Sequence, residues 1–171
     1  MGWRARPPSA FTLSDGDVGL QAAIERSRAL LHRRALVAAV AGTVPVPGLD
    51  WAVDAALLSR LLPQINSEFG LTPEQLDRLT PHKREQVQKA VSMVGSVLIG
   101  KFVTREVVLR ATQAVGVRLT AKQAAKYVPI AGQAVSAALG YATLRYLGEQ
   151  HLQDCVRVVK AAQLSLPAPK R

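Results

Sequence analysis

The chain has 171 residues, a net charge of +10 and a hydrophobic fraction of 49%, enough for one domain with a true core and too apolar for a disordered chain. Its one cysteine excludes a disulfide scaffold and a cysteine-rich zinc module. The opening residues carry two arginines and two prolines with no apolar run behind them, so no secretory leader is expected and a cytoplasmic location is.

Residues 1–13 hold Pro7 and Pro8 without periodicity and are expected to form a flexible arm. Ser14-Asp15-Gly16-Asp17 predicts a helix start, with acids near the positive end of the dipole. Leu20, Ile24, Ser27, Leu31, Ala35, Ala38 and Gly42 then fall at spacings of three and four, one face of a long helix. Pro45 and Pro47, followed by Gly48, stop it and form a first hinge. A mostly apolar helix follows, striped by Trp51, Ala55, Leu58, Leu62, Ile65 and Phe69, kinked at Pro63 and stopped at Gly70.

Thr72-Pro73-Glu74-Gln75 is a capping box with proline at the first helical position, and Thr80-Pro81 repeats the cap-plus-proline device. A helix is predicted from there through about Val103, and another from Thr104 to a break at Gly116. Thr120-Ala121-Lys122-Gln123 is a second capping box. Val128-Pro129-Ile130-Ala131-Gly132 forms a second hinge, 84 residues after the first, and the last helix runs to about Gln163. No segment alternates as a strand does. The expected fold is all-α: one compact multi-helix domain over residues 14–163, built from two hinged helical hairpins, with a loose tail at 164–171.

The last helix carries small residues at Gly132, Ser136 and Gly140, and a second row at Ala134, Ala138 and Ala142. Such rows let backbones approach closely, as internal packing in water or as a dimer seam in a membrane. The longest uncharged run, Tyr127–Leu144, has 18 residues and contains a hinge, which is short of a convincing span. Charge is unevenly spread. Residues 81–126 carry nine basic and two acidic side chains, while 35–80 carry two and five. Lys101, Arg105, Arg118, Lys122 and Lys126 are the candidate residues for binding an anionic surface, against the plainer reading of a solvated face. No aromatic side chain interleaves the row from Arg118 to Lys126, which disfavours single-strand nucleic-acid stacking.

Catalytic signatures are incomplete. Gly95 to Lys101 has the spacing of a phosphate-binding loop, but Phe102 stands where a Ser or Thr would hold magnesium, and helix is predicted on both sides. His151 and Cys155 share a helix face as two potential metal ligands without a third, and the apolar row through Leu152 and Val159 favours a buried structural cysteine. Asp50 and Asp54 lie one turn apart, where helix capping and charge pairing explain them better than acid–base work. No catalytic, cofactor or metal site is therefore assigned, and no enzyme activity is expected.

The stretch from Pro45-Val46-Pro47-Gly48-Leu49-Asp50-Trp51 to Phe69-Gly70-Leu71-Thr72 resembles the C-terminal helical domain of immunity-related GTPases. The second hinge and the Ala/Ser/Gly-rich helix with Tyr141, Thr143 and Leu147 agree. Similar hinges give the chain a resemblance to bacterial YcjF-like and EcsC-like helical domains, and its Ala- and Arg-rich composition looks bacterial. The resemblance covers roughly residues 18–163. It implies an all-helical module that associates with membranes and often works beside a GTPase. It does not carry over nucleotide hydrolysis, because the phosphate loop is incomplete. Met1-Gly2 begins a lipidation motif that fails at Arg6. The expected function is a non-enzymatic module that reversibly binds membrane surfaces, peripheral on the inner face, or a GTPase-type partner. The alternatives are a soluble adaptor or homo-oligomer, and a basic nucleic-acid-binding domain.

Overall fold

A computed structural model describes residues 9–41, 49–96, 99 and 131–168. All regular structure among them is helical: α1 (Ala10–Leu13), α2 (Val18–Ala41), α3 (Leu49–Glu68), α4 (Pro73–Asp77), α5 (Pro81–Val94) and α6 (Ala131–Ala162). The protein is all-α.

Local chemistry sets most helix ends. Ser9 caps α1, its hydroxyl accepting from the Thr12 N–H at 3.2 Å. Asp17 caps α2, its carboxylate accepting from the Leu20 N–H at 2.9 Å. The capping box at Thr72 and Gln75 has both reciprocal bonds. α3 runs on past Pro63 to Glu68 and closes in a Schellman motif. There Leu71 N–H donates to Asn66 O, Gly70 N–H donates to Ser67 O, and Gly70 takes a φ of 72°. α6 ends the same way on Val159 and Lys160, with Gln163 in the left-handed region at φ 49°.

α6 is the central contact element, packed chiefly on α2 and then on α5, α3 and α1, while α2 packs also on α3. The residue pairs give the directions. Arg28 meets Glu149 and Ala38 meets Gly140, so α2 and α6 are antiparallel. Arg26 meets Glu68, so α2 and α3 form an antiparallel hairpin. Asn66 meets His151, so α3 and α6 run parallel, both against α2. Lys83 Nζ reaches the carbonyls of Ala162 and Gln163, which sets α5 antiparallel to α6 and places a cation at the negative end of α6.

The core is what the periodicity selects. Leu20, Ile24, Ser27, Leu31, Ala35 and Ala38 of α2 are buried, as are Leu58, Leu62, Ile65 and Phe69 of the second stripe. Leu144, Leu152, Cys155 and Val159 complete it from α6. Gly148 is a contact glycine: a Cβ there would sit 2.8 Å from Leu31 Cδ2 and 3.1 Å from its Cγ.

Three expectations change. The arm expected through residue 13 ends earlier, because α1 forms and its Ala10 is fully buried. The helix expected through Val103 stops at Val94, where Gly95 adopts a φ of 73° and its N–H bonds Val91 O. Residues 164–168 are non-helical but lie on the body. Leu164 and Leu166 pack against the core, and Pro167 Cδ comes within 3.5 Å of where a Gly70 Cβ would stand.

Candidate functional site

Two features of the described residues are candidates for function: a buried polar cluster between α3 and α6, and an exposed apolar surface near the end of α2.

The cluster is formed by Asn66, His151 and Cys155. All three are buried. The Schellman turn that ends α3 fixes Asn66, whose carbonyl takes the N–H groups of Phe69 and Leu71. His151 and Cys155 lie one turn apart on the inner face of α6. Asn66 Oδ1 lies 2.7 Å from His151 Nε2 and 3.5 Å from Cys155 Sγ. A carbonyl oxygen only accepts, so Nε2 carries the imidazole proton and Nδ1 is a bare acceptor. Nδ1 has no hydrogen-bond partner among the described residues.

This arrangement opposes nucleophilic chemistry. A reactive cysteine needs a base to take its proton and an environment that favours thiolate. Here Sγ lies 3.7 Å from Nε2, but that nitrogen already donates to Asn66. Burial pushes the thiol well up, and the neighbouring Asp154 adds to the rise. Burial also pushes His151 down to about 4, which favours neutral imidazole. The cluster therefore holds a neutral histidine and a protonated thiol on one amide oxygen, and it ties α3 to α6. Among the described residues no third His, Cys, Asp or Glu joins them to form a metal site.

The exposed surface lies on the last turns of α2. Leu36, Val37 and Val40 are 48%, 51% and 70% exposed. Ala134, Ala138 and Ala142 of α6 are exposed as well, so this small-residue row faces outward. Gly140 faces inward, where an added Cβ would stand 3.6 Å from Ala38 O. Gly132 and Ser136 lie in α6, with side chains outside the described residues. At an exposed contact between α2 and α6, His32 Nδ1 lies 3.0 Å from the Tyr141 hydroxyl, with the rings edge to face.

Of the remaining sequence candidates, Pro45, Pro47, Gly48, Pro129, Lys101, Arg105, Arg118, Lys122 and Lys126 lie outside the described residues. Asp50 and Asp54 fall in the first turns of α3, with side chains outside them too. In the phosphate-loop near-match, Gly95 is a helix C-cap and Ile99 is buried, while Gly100, Lys101 and Phe102 lie outside. The cations of α5 are all engaged. Lys83 caps α6, Arg84 bonds the carbonyls of Leu76 and Asp77, and Lys89 pairs with Glu85. Sequence reasoning missed Asn66, since a lone asparagine near a helix end has no periodic signature. It also missed the outward turn at Leu36 and Val37, which continue an apolar run along the chain. Among the described residues no helix is long and apolar enough to cross a membrane.

The chain is similar to two curated proteins named interferon-inducible GTPase 5. It is 32% identical to the Bos taurus protein over 152 residues and 30% identical to the Rattus norvegicus protein over 153. Each match takes in 86% of this chain, which spans 32% of the length of each relative. The similarity supports a relation to immunity-related GTPases. No family model matches the chain, and no solved structure matches it significantly.

Proposed function

We propose that this chain is a non-enzymatic helical module that associates reversibly with membrane surfaces and serves a GTPase-type partner. The observation that carries the reading is the exposed Leu36, Val37 and Val40, set on a helix whose opposite face is fully buried. Burying a whole aliphatic side chain is worth about 1.5–3 kcal/mol. These three are already about half covered, so together they offer roughly 3–4 kcal/mol. That is reversible binding, and the net charge of +10 adds attraction to an anionic leaflet. Support for the GTPase connection comes from relatives named as GTPases, of which this chain matches a 32% share. The likeness to bacterial YcjF-like and EcsC-like domains belongs to the same proposal, as does a peripheral location on the inner face of the membrane. The protonated thiol and neutral imidazole of the buried cluster fit a module without catalysis.

Flotation of the full chain with phosphatidylserine-containing and phosphatidylcholine vesicles tests the reading. Co-flotation with the anionic vesicles at low salt supports it. Failure to float with either kind overturns it. Concentration-dependent self-association without lipid binding would assign the same apolar surface to a protein contact instead.

A further inference from the structure

We propose that Arg33, Arg34, Arg60 and Arg145 form a belt that seats on the phosphates of an anionic bilayer, while Leu36, Val37 and Val40 enter its headgroup region. The inference rests on the membrane reading above and names the surface that would do the binding.

Inter-helix register puts the four arginines at one height. From the Arg26–Glu68 pair, eight residues along each helix toward their connection lead to Arg34 and Arg60. From the Arg28–Glu149 pair, four residues in the same direction lead to His32 and Arg145. From the Asn66–His151 bond, six residues back along the parallel helices α3 and α6 lead to Arg60 and Arg145. Three independent pairs thus converge on one level shared by α2, α3 and α6.

Pairing divides the molecule at that level. Toward the α6 C-terminus, Arg26 holds Glu68, Arg28 holds Glu149 from Nε and Nη2, Arg157 holds Asp154 and Lys160 holds Asp15. At the belt, none of the four arginines makes an ion pair or hydrogen bond among the described residues. Like charges gathered at one height with no paired anion among the described residues repel each other, and an external anion relieves that repulsion. Beyond the belt, the exposed α2 side chains are apolar.

The dimensions and the shape fit a bilayer. Arg34 to Val40 is six residues, about 9 Å of helix at 1.5 Å per residue. Interfacial segments bury their apolar face about 5–10 Å deep. Arginine stems lie along apolar surface while their guanidinium groups fork onto phosphate oxygens. The belt draws on three helices at a single height, which suits a flat layer of phosphates.

The test uses the full chain with vesicles of phosphatidylcholine alone or mixed with phosphatidylserine. One variant carries Arg33→Gln and Arg34→Gln, and another Arg60→Gln and Arg145→Gln. A basic side chain near an anionic surface is worth about 1 kcal/mol, roughly fivefold in partitioning. Each double variant is therefore expected to lose about 25-fold on anionic vesicles while its circular-dichroism melt is unchanged. An environment-sensitive fluorophore is placed on Val40→Cys or on Met93→Cys, a second exposed position on α5. On binding, it should shift to the blue at 40 and stay unshifted at 93. If the wild-type chain binds but both double variants bind equally well, or the shift occurs at 93, the belt is overturned and the membrane reading stands. Equal wild-type binding to both lipids also overturns the belt. Failure of the wild-type chain to bind any vesicle overturns both.

Discussion

His151 Nε2 lies 2.7 Å from Asn66 Oδ1, joining α3 to α6 across 85 residues of sequence. The bond is made where both side chains are buried. In such surroundings a satisfied polar pair fixes one helix register, because other registers leave a donor or acceptor unmet. Cys155 shares the same oxygen, so the cluster pins two buried positions one turn apart on α6.

Acid should destabilise the fold through this cluster. Burial lowers His151 from the usual 6.5 to about 4, so the unfolded chain takes up that proton first. The stabilisation is complete above about pH 6.5 and is lost as pH falls to about 4, a total of about 3 kcal/mol. Asp154, whose carboxyl is raised by burial, works in the opposite direction at the acid end. Urea midpoints at neutral pH and near the lower value measure the net effect, and His151→Gln should flatten the dependence. A wild-type midpoint that does not fall on acidification contradicts it.

Asn66→Ala should cost about 2 kcal/mol, since it leaves a buried imidazole N–H and a thiol without their acceptor. Asn66→Asp should raise the His151 pKa, because a carboxylate beside Nε2 favours imidazolium. Proton NMR titration of the imidazole reads this directly. An unmoved His151 in the Asp variant would mean that the contact does not form.

The two inner glycines of α6 should respond differently to alanine. At Gly148 the new Cβ would press on Leu31 in a filled core. Overpacking of this kind costs about 1–3 kcal/mol, offset by about 1 kcal/mol of helix propensity. A net loss near 1 kcal/mol is expected. At Gly140 the Cβ would meet Ala38 O at an ordinary 3.6 Å, so Gly140→Ala should gain up to about 1 kcal/mol. Thermal melts of both variants decide it, and equal responses would refute the difference in packing.

Gln163→Gly should stabilise the protein. Gln163 holds a φ of 49° at the close of α6, a conformation that costs a residue with a Cβ roughly 1 kcal/mol and glycine almost nothing. A rise in melting temperature is expected, and a fall would show that the glutamine side chain contributes more than its backbone strain costs.

Most elements could be read from short-range patterns. The faces of α2 and α3 followed from apolar spacing, and Thr72 and Thr80 marked helix starts through their own hydroxyls. The reading failed where local signals conflict. Gly95 ended α5 early because glycine in a left-handed turn outweighs the apolar run that follows it. α1 escaped notice because four residues are too few for a period. The belt was not legible at all, since the adjacent Arg33 and Arg34 lie far along the chain from Arg60 and Arg145.

The sequence by itself determined that the protein is helical, which face of α2 is buried and where several helices start and stop, because these depend on contacts within a few residues. Tertiary structure decided which rows meet. It set Asn66 against His151 and Gly148 against Leu31, and its inter-helix register brings Arg34 level with Arg60 and Arg145 from two other helices. Helix register is fixed only when whole side-chain surfaces interlock, and no local pattern carries that information.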